Sequence, residues 1–108
     1  MEEKARPFKR EYLRQKPEYN SGDYYFSGNF YVTRGVVETL DEREIHAIHL
    51  EIKRLVESKG GQDYLQVFKQ KRGKQKLFLI DNLSREMLNS GQYSNEHNYC
   101  TLMLAEEY

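Results

Sequence analysis

Ile45, Ile48, Ile52, Leu55 and Val56 recur at steps of three and four residues, with charged residues filling most of the positions between. That spacing commits the segment to an amphipathic helix, which has to bury one side against something else. Its ends are marked too. Thr39-Leu40-Asp41-Glu42 fits a capping box, in which the threonine hydroxyl accepts from an amide of the first turn and the glutamate reaches back. Lys59 followed by Gly60-Gly61 supplies the stop.

The segments around this helix read as strands that would receive it. Phe30 to Val37 is rich in β-branched and aromatic residues, and Gly35 near its end suggests a bulge or a close backbone approach. Asp63 to Gln70 and Gln75 to Ile80 read as a hairpin turning at Lys71-Arg72-Gly73-Lys74. These two runs are apolar at both parities, as strands in the middle of a sheet are. A short helix is expected over Leu83 to Asn89, closed by Gly91, and a final strand over His97 to Leu104. From residue 30 the order is therefore β-α-β-β-α-β. It predicts an α+β domain over residues 29–108, with helices on one face of an antiparallel sheet in a ferredoxin-like or variant arrangement.

Residues 1–28 read as an N-terminal arm that adds little to the core. Pro7 and Pro17 interrupt it, and Asn20-Ser21-Gly22-Asp23 marks a turn. A short helix is expected between the prolines, Phe8 to Lys16, and Tyr24-Tyr25-Phe26 would add an edge strand or pin the arm to the domain.

At 108 residues there is room for one core. Seventeen basic and seventeen acidic residues cancel, so net charge gives no drive toward nucleic acid or an anionic membrane. The single cysteine, Cys100, excludes a disulfide framework and an all-cysteine metal site. No apolar run is long enough to span a membrane and no signal peptide is recognised, so a reducing, cytoplasmic setting is expected.

Three stretches carry a resemblance: Tyr31-Val32-Thr33-Arg34-Gly35-Val36, Asp63-Tyr64-Leu65-Gln66-Val67-Phe68, and the ending from Asn98 to Tyr108. With the helix between them they resemble a small family of uncharacterised bacterial proteins, a domain of unknown function common in Gram-positive genomes and mobile elements. The resemblance covers about the last three quarters of the chain. It implies a shared fold and no particular activity.

Catalytic sets are not apparent. His46, His49 and Glu42 share one side of the helix, as metal ligands do, but His49 flanks the apolar stripe and Lys53 would repel a cation. No metal or cofactor is expected. Cys100 and His97 are three apart on one strand and point to opposite faces, so a cysteine–histidine pair is not expected. No phosphate-binding glycine loop occurs. What stands out is nine tyrosines, together with basic clusters at Lys4, Arg6, Lys9, Arg10, Arg14 and Lys16 and at Lys69, Lys71, Arg72, Lys74 and Lys76. The expected function is a non-enzymatic binding protein that regulates or inhibits a protein or nucleoprotein partner by occupying its surface. One concrete version is a mobile-element inhibitor of a bacterial defence complex, of the anti-CRISPR type. The expected partner-binding residues are Phe8, Arg10, Tyr12, Arg14, Tyr24, Tyr25, Arg72 and Lys74. The alternative is single-stranded nucleic-acid binding through the arm and hairpin, with Tyr31 and Phe78 as a stacking pair.

Overall fold

The computed structural model describes residues 8–18 and 21–108; Lys4 and Arg6 of the basic arm, Pro7, and Asn20 of the expected turn lie outside them. The amphipathic helix is present as α2, Glu42–Lys59, with Ile48 and Ile52 fully buried. Its cap differs from expectation. Asp41 is the N-cap and accepts from the Arg43 amide at 2.7 Å, while Thr39 is the last residue of a preceding helix, α1, Arg34–Thr39. Glu44 does not reach back to the cap, because its carboxylate is taken by the arm. Gly60, at φ +86°, stops α2 in a conformation that few side chains tolerate.

The α1 helix replaces the second half of the strand expected from Phe30 to Val37; the strand proper is β2, Asn29–Val32. The strand preference of Val36 and Val37 is overridden locally. Thr33 caps the helix by accepting from the Val36 amide, and one carboxylate oxygen of Glu107 accepts from the Thr33 hydroxyl at 2.7 Å and the Leu104 amide at 2.8 Å. Gly35 is a close approach and not a bulge, since a Cβ there would sit 2.7 Å from the Glu107 carboxylate. Hydrogen bonds from Thr33, Leu104 and Gly35 hold the Glu107 carboxyl below its ordinary pKa.

The helix expected over Phe8 to Lys16 does not form. Tyr12–Arg14 is instead β1, which pairs antiparallel with β3, Leu65–Gln70. Contrary to expectation the arm enters the core, with Tyr12 4% and Phe26 1% exposed. Tyr24 pins it by a bridge to Gln62. Phe26, at φ +49°, is held by its amide donating to the buried Asp81 carboxylate. β3 turns into β4, Lys76–Asp81, which leads through α3, Arg85–Asn89, and a 3-10 turn, Asn95–His97, to β5, Tyr99–Leu104. Ser84 caps α3 by accepting from the Met87 amide.

The five strands form one sheet in the order β1-β3-β4-β5-β2. The expectation of an antiparallel sheet needs correction: β2 runs parallel to β5, so the sheet is mixed. A ferredoxin-like order would place β2 between β4 and β5. Here α1 and α2 carry the chain from β2 at one edge over to β3, and β5 fills the place beside β2. The class remains α+β.

Register sorts the side chains into two sets. Phe68–Leu77–Leu104, Gln66–Leu79–Leu102–Val32 and Asp81–Cys100–Phe30 share one face. That face meets α2, α1 and Phe26, and it holds the core.

Candidate binding face

Successive residues of a strand alternate between faces. The positions between the core rows form three rows of their own. Leu13–Lys69–Lys76 cross β1, β3 and β4; Val67–Phe78–Met103 cross β3, β4 and β5; Leu65–Ile80–Thr101–Tyr31 cross β3, β4, β5 and β2. Tyr99 follows on β5, beside Asn29. Strands flanked on both sides can be reached by solvent only from above or below. Leu65, Val67, Phe78, Ile80 and Met103 lie on such strands, are part-exposed, and stand outside the core cluster. No layer therefore covers this face among the described residues. Among the described residues α2 is the only long helix and is committed to the other side, and α3 with five residues buries none of its side chains.

The face is apolar at its centre, with aromatic rings there and at one end and lysines at the other. Tyr31, 50% exposed, lies 5.6 Å from the Tyr99 ring, and Tyr108, 73% exposed, meets the Phe78 ring edge-on at 5.6 Å. Lys69 and Lys76 sit directly opposite each other at the hairpin end. Lys71, Arg72 and Lys74 are exposed in the turn just beyond, and none of these five cations takes part in an ion pair among the described residues. Glu106 lies beside Lys74 and Lys76 and offsets part of their charge.

The residues expected to bind a partner fall into two groups. Arg72 and Lys74 are exposed at the margin of this face. The arm residues are engaged within the fold. Arg10 pairs with Glu44 at 2.8 Å and Glu51 at 3.1 Å, and Tyr12 is buried. Arg14 donates to Gln66 at 2.8 Å. Phe8 lies under the Arg43 guanidinium, Tyr24 packs on Tyr64, and Tyr25 lies under Arg85. Of the stacking pair, Tyr31 and Phe78 do share the open face, two strands apart. Sequence reasoning missed Leu65, Val67, Ile80, Tyr99, Met103 and Tyr108 as members of this surface. The available signal was three strands apolar at both parities in a chain with one long helix to cover them.

The other candidates offer less. A groove of about 560 Å³ runs between the arm and the α1–α2 corner, lined by Phe8, Tyr12, Leu40, Arg43, Glu44 and Gln70 among others. Among the described residues no buried, unpartnered polar atom lines it. His49 stacks on Phe30 at 4.0 Å with its Nε2 buried and without a partner among the described residues, and burial lowers its pKa. No group of three metal-ligating side chains is found among the described residues. Cys100 is fully buried, and burial with the nearby Asp81 pushes its thiol up to about 12, so it is protonated at neutral pH. Burial likewise raises the pKa of Asp81, whose Oδ1 has no partner among the described residues.

No helix among the described residues is long and apolar enough to cross a membrane. No protein-family model, curated protein or solved structure matches the chain.

Proposed function

We propose that this chain is a small non-enzymatic binding protein of the cytoplasm that regulates or inhibits a protein or nucleoprotein partner by occupying its surface. The uncovered sheet face makes the contact. One observation carries the reading: five large apolar side chains stand on the solvent side of three adjacent strands, outside the core. Antiparallel sheets with one wet face ordinarily alternate apolar with polar residues. A contiguous apolar patch rimmed by charge marks an interaction surface. The cations at the hairpin end, Arg72 and Lys74 included, would set the partner's orientation and speed its approach. A mobile-element inhibitor of a bacterial defence nucleoprotein is the concrete version that the sequence resemblance suggests.

The test is affinity capture from bacterial lysate with the wild-type chain and with Phe78→Lys, each before and after nuclease treatment. A partner held by the wild type and lost from Phe78→Lys supports the reading. Equal capture by both proteins would refute the face as the contact surface.

A further inference from the structure

We infer that the uncovered face takes a single strand of nucleic acid, whether free or within a nucleoprotein; this rests on the preceding reading and names what the face contacts. Three features of the face converge on that ligand.

The first is the pair Lys69 and Lys76. They face each other in register, and like charges directly opposite each other weaken a sheet. A phosphate between the two ammonium groups would turn that repulsion into attraction. Lys71, Arg72 and Lys74 continue the cationic surface beyond them. The second is the placement of the rings. Tyr31 and Tyr99 stand at the end of the face away from the lysines, with Phe78 and Tyr108 between. Rows on one face of a strand are spaced by about 7 Å, so the lysine row lies roughly 14 Å from the Tyr31 row. A short oligonucleotide spans that length with its backbone at the lysines and its bases over the rings. Unpaired bases stack on open aromatic faces, whereas a duplex conceals them. The third is the rim. Asn29 and Thr101 lie opposite Tyr99 and Tyr31 in register and put polar side chains, with donors and acceptors, beside the tyrosine pair. An apolar protein partner would account for Val67, Ile80 and Met103, but it would leave the opposed lysines unexplained.

The experiment is fluorescence anisotropy of labelled oligouridylate and oligothymidylate titrated with the full chain at several salt concentrations, with a DNA duplex as comparison. Single strands should bind more tightly than the duplex, and affinity should fall as salt rises. Tyr31→Ala, at an exposed position, should weaken binding roughly tenfold. Lys76→Gln should flatten the log–log salt dependence by about 0.7. Arg54→Gln, exposed on α2, should leave both unchanged. No anisotropy change at low salt, or binding indifferent to Tyr31→Ala and Lys76→Gln, would overturn the inference. So would sedimentation showing a dimer that Phe78→Lys dissociates and that binds no oligonucleotide. Loss of a protein partner on Phe78→Lys, with no oligonucleotide bound by the wild type, would sink this inference and leave the broader reading standing.

Discussion

The open face makes neighbouring residues of β4 respond very differently to substitution. Leu79 is fully buried, between Gln66 and Leu102 in its row and beneath the α2 side of the core. Ile80, the next residue, points the other way and is part-exposed between Leu65 and Thr101. Leu79→Ala removes buried methyl groups and leaves a cavity, which costs about 2–5 kcal/mol. Ile80→Thr keeps the β-branch and the cross-strand neighbours and gives up only partly buried apolar area, for about 0.5–1 kcal/mol. Against a total stability of roughly 5–15 kcal/mol, the first change is a large fraction and the second is not. In thermal terms Leu79→Ala should lower the midpoint by more than about 10 °C and Ile80→Thr by only a few degrees. Urea denaturation followed by far-UV circular dichroism measures both on the same scale. Comparable losses at the two positions would mean that the second face is covered in solution, and the reasoning about the binding surface would fall with that result.

Two further outcomes are expected. Glu44→Ala should cost about 2–3 kcal/mol, at the lower end for a broken buried ion pair because Arg10 is partly solvated; it should also speed amide exchange in β1, and a stability within about 0.5 kcal/mol of wild type would show that the carboxylate does not hold the arm. His49 sits in the fold with a lowered pKa, so its stabilising contribution is complete above the ordinary histidine value of 6.5 and is lost as pH falls through the lowered folded value. His49→Phe should therefore flatten the decline of thermal midpoint below that pH, and an unchanged profile would remove His49 as its source.

The legible parts of the fold were those encoded in short-range pattern. The α2 stripe could be read because Ile45, Ile48 and Ile52 repeat within a few turns, and the β3–β4 hairpin because its two runs flank a turn containing Gly73. α1 was not legible, because a buried Val36 looks the same in a strand as in a helix, and the deciding group, the Glu107 carboxylate, lies 74 positions from Thr33. Asp41 displaced Thr39 as the α2 cap for a related reason: α1 runs through Thr39, so the helix that follows can begin only after it. The parallel β2–β5 pairing is equally non-local. The binding face was half legible. Tyr31 and Phe78 stood out as rings, but apolar residues at both parities of β3 and β4 suggested burial on both sides. Only the count of helices long enough to cover a sheet shows that one side is left bare among the described residues.

The position of β5 bears on how the polypeptide acquires its structure during synthesis. It is the last of these five strands to leave the ribosome, yet it lies inside the sheet, joining β4 on one side to β2 on the other. Until it emerges, β2 has no strand to pair with and β4 has a bare edge. The nascent polypeptide must therefore wait, with unpaired backbone exposed, until residues 99–104 are free, and closure then draws together segments far apart along the chain. Such topologies fold slowly and offer chaperones a long window of engagement.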